Sequence, residues 1–247
     1  MTTATKIIRV EAKLFLRDPV AAFCAIALPA LLILVLGLAI PGFREPADVM
    51  GGLPPIEVYL PITMALAIAT VTMVALLGVV ATYRERGVLR RLSTTPVSPP
   101  SLLVAQVAVH VVALLVGAGL AWLVAATVFG VPSPRNLPGT LLAFTLGSCT
   151  MCALALLVAA VVPTARAASG VGQLVYFPMM FFAGVWTPGS LMPDAVRRIA
   201  DFTPLGAGSL AVQDAWAGTW PSPLHLAVMA ASTVLLGGLA ARYFRWE

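Results

Sequence analysis

The sequence predicts an all-α integral membrane protein with six transmembrane helices, and three observations carry that prediction. Hydrophobic residues make up 60% of the chain against 10% charged ones, and the mean hydropathy of +0.98 lies outside the range of a water-soluble domain. Uncharged runs cover residues 19–43, 58–83, 92–134, 136–165, 167–193 and 215–241. Each holds the ~20 residues that cross a bilayer as helix, the form that satisfies every backbone polar group within lipid. Finally, the lysines and arginines sort by side. Placing the N-terminus in the cytoplasm puts eleven inside (Lys6, Arg9, Lys13, Arg17, Arg84, Arg86, Arg90, Arg91, Arg166, Arg242, Arg245) and four outside (Arg44, Arg135, Arg197, Arg198). Both termini are therefore expected in the cytoplasm, and the net charge of +5 reflects membrane sidedness, with no nucleic-acid partner implied.

The chain reads as a single membrane domain over residues 1–247. Residues 1–19 form an interfacial helix, because Lys6, Arg9, Lys13 and Arg17 fall within one arc of about 80° at the helical period while Ile8, Ala12 and Phe15 group on another. Asp18 and Pro19 mark its junction with the first span. The spans are expected at about 20–41, 58–82, 102–130, 138–162, 168–187 and 222–241. Pro96, Pro99 and Pro100 delay the third to about residue 102. The first run exceeds a signal-peptide core and has no convincing cleavage site, so it is expected to stay. Pro29, Pro61 and Pro178 should disturb the first, second and fifth spans. Between the last two spans, residues 188–221 are expected outside, with Leu191, Ala195, Val196, Ile199, Ala200 and Phe202 forming a short amphipathic helix.

Several chemistries are excluded or weakened. A phosphate-binding P-loop needs a lysine after its glycine-rich turn, and Lys6 and Lys13 are the only lysines. No Asp, Glu, Lys or Arg falls within the expected spans, which leaves His110 as the titratable group for an ion-coupled carrier. Cys24, Cys149 and Cys152 lie within spans, where cysteine packs as a small apolar residue, and the single C-x-x-C has no second ligand pair for a metal. Ser209 and His225 have no motif that would make them a hydrolytic pair. Work done on a substrate is thus expected to come from another protein. The segment after the second span, YRERGVLRRLSTTPVSPP, is suited to receive it: Val88, Leu89 and Leu92 offer apolar contact, Arg84, Arg86, Arg90 and Arg91 surround them, and Pro96 ends the helix.

The string ERGVLRRLSTTPVSP, Glu85 to Pro99, resembles the cytoplasmic coupling segment of type-2 ABC exporter permeases of the daunorubicin-resistance-like branch. A second block, GQLVYFPMMFFAGVWTPGSLMPDAVRRIADFTPL, Gly172 to Leu205, resembles that family's fifth span, external helix and following Pro-containing segment, with Thr203 where the family commonly has Asn. The resemblance implies a permease of an exporter with two permease halves, a second copy or a paralogue completing the pair, and two separate ABC ATPase subunits. The chain itself would carry no cofactor, with ATP and Mg²⁺ held by those ATPases. Arg84, Glu85, Arg86, Gly87, Val88, Leu89, Arg90, Arg91 and Leu92 would form the ATPase-coupling helix, and Lys6, Arg9, Lys13 and Arg17 the basic face of an elbow helix. Thr63, Met64 and Thr70 of the second span and Tyr176, Phe177, Met180 and Phe181 of the fifth would line a pathway for a hydrophobic or amphipathic drug, lipid or lipid-linked glycan. A bacterial-type plasma membrane location follows from the same resemblance. The alternative is a proton-coupled secondary carrier using His110.

Overall fold

The computed structural model describes residues 3–88, 99–188 and 191–244, and among these the chain is helical without strands. Helix α1 (Thr3–Arg17) ends where Asp18 begins the next helix. The Asp18 carboxylate accepts from the amides of Val20 and Ala21, both at 3.1 Å, and Pro19 occupies the first helical position, where a missing amide costs nothing. Helix α2 (Pro19–Ala39) contains a π turn over Phe23–Ala27. The cause lies in Pro29, whose ring nitrogen has no proton for the Ala25 carbonyl one turn back.

The second span is α3 (Pro55–Glu85), with Pro61 inside it and a π turn over Val71–Leu76. Next come α4 (Pro99–Phe129), closed by Gly130 at φ 71°, and α5 (Leu137–Val161), whose Gly139 amide is met by Asn136 at 3.0 Å. Helix α6 (Ala165–Phe182) is followed by two shorter helices, α7 (Asp194–Ala200) and α8 (Pro204–Ala217), and by α9 (Pro223–Tyr243). Five of these, α2, α3, α4, α5 and α9, are long and apolar enough to cross a membrane. The fifth expected span corresponds to α6, which has 18 residues and is not among the five. Arg166, Ser169 and Gln173 in its first half dilute its apolar character.

Both π turns sit against a glycine of a neighbouring helix. A Cβ at Gly117 of α4 would collide with the Ala25 carbonyl oxygen of α2, and one at Gly172 of α6 would lie 2.9 Å from the Met73 carbonyl oxygen of α3 and 2.7 Å from Leu77. Glycine lets the backbones approach where a widened turn bulges toward its neighbour.

The segment between α6 and α9 differs from expectation. Its amphipathic part is α7, but α8 is no peripheral element: Leu205, Ala207, Ala211, Val212 and Ala215 are buried, against α5, α3 and α9. Gly208 of α8 faces Gly147 of α5, with the Met229 sulfur of α9 beside both. The helix can end inside the bundle because its terminal groups are satisfied locally. Thr203 accepts from the Gly206 amide at 3.2 Å, and Gly218 at φ 102° closes the other end. Thr150 ties α5 to α9, lying 3.0 Å from the Met229 carbonyl it donates to or 2.7 Å from the Thr233 hydroxyl. Trp216 is buried in this block, while Trp186 and Trp220 are exposed.

Candidate functional site

The last carbonyls of α5 have no amide partners within their own helix, and the first amides of α6 have no carbonyls. Two consecutive residues at the end of α3 meet both sets. Arg84 Nη1 donates to the carbonyls of Ala159 at 2.9 Å, Ala160 at 3.0 Å and Val162 at 3.0 Å. Glu85 Oε2 accepts from the Ala165 amide at 3.0 Å, beside the Thr164 hydroxyl that caps Ala167 at 3.2 Å. A cation therefore lies at the negative end of the α5 dipole and an anion at the positive end of α6, each the favourable sign. Arg84 and Glu85 clasp the turn between α5 and α6 to the end of α3.

Arg84 and Glu85 belong to α3 and make these hydrogen bonds within the chain, Arg84 half-buried and Glu85 exposed. The helix does not run continuously to Leu92, because Gly87 adopts φ 64°, a conformation that favours glycine and breaks the helical path. The Gly87 amide returns to the Arg84 carbonyl at 3.0 Å and that of Arg86 to Thr82 at 3.0 Å. Arg86 is exposed and Val88 half-buried. Leu89, Arg90, Arg91 and Leu92 lie outside the described residues.

Residues 5–214 match the family model described as ABC-2 type transporter. The chain belongs to the ABC-2 type transporter family. It is thus a multi-pass membrane protein and a permease component of an ABC transporter. No curated protein matched the sequence.

On the α1 face of this ABC-2 permease, Lys6, Arg9, Lys13 and Arg17 are all exposed, while Phe15 is buried with its ring 5.2 Å from that of His110. The pathway candidates divide. Thr63 and Met64 are buried within the chain, the Thr63 hydroxyl donating to the Leu60 carbonyl at 2.8 Å, and Met180 is buried as well. They pack against the described residues of the bundle. Thr70 and Tyr176 are brought together, hydroxyl to hydroxyl at 3.1 Å, joining α3 to α6. Phe177 and Phe181 are exposed on the outside of α6.

Sequence reasoning missed Glu11 and Gln106. Glu11 is 6% exposed, and its Oε2 accepts from Gln106 Nε2 at 2.6 Å and from the Tyr83 hydroxyl at 3.4 Å. Burial raises the Glu11 carboxyl above its ordinary value, and the Tyr83 hydrogen bond partly opposes this. The signal was present: at the helical period Glu11 falls on the arc of Ile8, Ala12 and Phe15, an acid on the apolar face of an amphipathic helix.

At the opposite end of the bundle, His225 at the start of α9 lies between two carboxylates, with Nε2 3.1 Å from Asp201 and Nδ1 3.7 Å from Asp214. Asp201 precedes α8 and Asp214 lies within it, so the imidazole anchors that short helix at both ends.

Proposed function

We propose that this chain is the permease subunit of an ATP-driven exporter, moving a hydrophobic or amphipathic molecule out of the cytoplasm or inner leaflet with energy from separate ATPase subunits. The observation that carries this reading is the clasp at Arg84 and Glu85. The segment beginning at Arg86 is continuous with a helix end that grips two others, so a force applied at residues 86–92 would reach α3, α5 and α6 together. In this reading α6 completes a six-span plan, both termini lie in the cytoplasm, the coupling segment seats against an ABC ATPase through Val88, Leu89 and Leu92, and two permeases form the complete pathway. ATP and Mg²⁺ belong to the ATPase. The daunorubicin-resistance-like branch and a bacterial-type plasma membrane fit the residues around Glu85 to Pro99. A proton-coupled carrier is less well supported, because His110 Nδ1 is committed to the Gln106 carbonyl at 2.8 Å within its own helix.

ATPase turnover in nanodiscs holding the chain and its candidate ATPase tests the reading, comparing wild type with Leu89→Asp. Co-purification with turnover lost or uncoupled in the variant is expected. Absence of any ATPase association, with transport sustained by a proton gradient, would overturn it.

A further inference from the structure

A cavity of about 490 Å³ opens between α1, α2, α3 and α4. Its wall is mostly apolar, with Phe15, Cys24, Val74 and Val79 among the lining residues, and its polar groups include two acids and His110 but no lysine or arginine. Glu11 lines it with one carboxyl oxygen held by Gln106 and Tyr83, and the other makes no hydrogen bond to a described residue. Asp18 lines it too. Among the described residues no basic side chain pairs with either acid.

His110 adds a second, independent observation. It is 2% exposed and lines the same cavity, and its Nε2 has no hydrogen-bond partner. Because a carbonyl can only accept, the 2.8 Å contact to the Gln106 carbonyl fixes the proton of the neutral ring on Nδ1. Nε2 is then an acceptor without a donor. A buried carboxylate lacking a cation and a buried acceptor lacking a proton are both costly to leave unmade. One kind of ligand supplies both needs.

We propose that this cavity is a binding site for an amphipathic cation, a primary or secondary ammonium carried on an apolar body, with Glu11 as the charge partner and His110 as a second acceptor. The apolar wall takes the body of the molecule, and the ammonium provides a positive charge for Glu11 and an N–H donor for His110 Nε2. Burial holds the Glu11 carboxyl above its ordinary pKa, and a bound ammonium would favour its ionised form. The assignment rests on the exporter reading for the ligand's fate, but binding itself is independent of any ATPase.

Binding to the full-length chain alone, in phosphatidylcholine nanodiscs, provides the test. The probe is dansylcadaverine, a fluorescent primary amine, and the comparator its N-acetyl derivative, which has the same body and no charge. The amine should bind about tenfold or more tightly than the amide. Glu11→Gln should remove that preference while leaving the amide's affinity unchanged, and His110→Ala should weaken the amine selectively. Equal binding of amine and amide by the wild type overturns the proposal without reference to any variant's folding. A preference that survives in Glu11→Gln overturns the assignment of the charge partner. Nanodiscs containing phosphatidylethanolamine separate the two sources of an ammonium: competition with the probe assigns a lipid headgroup, and an unchanged affinity a free amphipathic amine. Selective amine binding by a chain that associates with no ATPase would instead count against the exporter reading alone.

Discussion

Replacing Arg84 by Met should destabilise the permease itself, before any ATPase is present. Methionine keeps an apolar stem of similar reach but no donor. Arg84 Nη1 carries two hydrogens, which three carbonyls at 2.9 to 3.0 Å share, so two full hydrogen bonds are at stake. A hydrogen bond to a charged group contributes about 1.5–3 kcal/mol net, and the half-buried position favours the lower end because water can reach part of the vacated site. The expected loss is about 2–4 kcal/mol. Arg84→Lys should restore part of it, since the ammonium keeps the charge and three donors but reaches less far than Nη1. The assay is equilibrium unfolding of the purified chain in mixed micelles with increasing SDS. A change within about 0.5 kcal/mol of wild type, the range of an uninvolved surface residue, would refute the clasp. If the variant retained its stability but lost its ATPase, Arg84 would be a docking residue instead.

Two glycines on α4 should behave oppositely. Gly117→Ala places a methyl against the Ala25 carbonyl and should cost about 1–3 kcal/mol in the same assay, whereas Gly119→Ala meets nothing within 4 Å and should be neutral or stabilising. For Glu11, the carboxyl raised above its ordinary 4.5 means that the folded chain holds the proton to higher pH than the unfolded chain does. The resulting stability is complete below 4.5 and is lost as pH rises through the folded value. Melting midpoints should fall between pH 4.5 and neutrality more steeply in wild type than in Glu11→Gln, and parallel profiles would contradict this. His225→Ala should free α8 by about 1–2 kcal/mol, read as faster amide exchange over residues 201–217 with membrane insertion unchanged.

Long uncharged runs are easy to read because lipid demands them, and the helices α2, α3, α4, α5 and α9 begin and end within three residues of the expected bounds. Helix α6 was harder. Packing against α3 through Gly172 and the Thr70–Tyr176 contact supports a helix whose own composition is only moderately apolar. Helix α8 escaped notice because Gly, Ala and Ser bring little hydrophobicity per residue, and because burial by close approach depends on what lies opposite, here Gly147. Its ends were nevertheless written plainly, with Thr203 before Pro204 at the start and Gly218 just past the end. Ala207, Ala211 and Ala215 at four-residue spacing carry the small-residue signal for a packed helix. At the site, the string around Glu85 pointed to a docked protein, and the hydrogen bonds of Arg84 and Glu85 to α5 and α6 went unread. A sequence shows that Arg84 and Glu85 carry charge, whereas their commitment to α5 and α6 requires knowing where two other helices end.

The π turn at Val71–Leu76 has a consequence for everything that follows it in α3. Such a turn accommodates one extra residue, and one residue of α-helix corresponds to about 100° of rotation about the axis. Arg84 and Glu85 therefore point where they do because of a bulge roughly two turns upstream. Were that bulge to relax to regular α-helix, the Glu85 end of α3 would swivel by about a quarter turn without unwinding, and both side chains would swing off the helix ends they hold. The azimuth of the clasp is set partway along the span, at the point where Gly172 of α6 lets the bulged backbone approach.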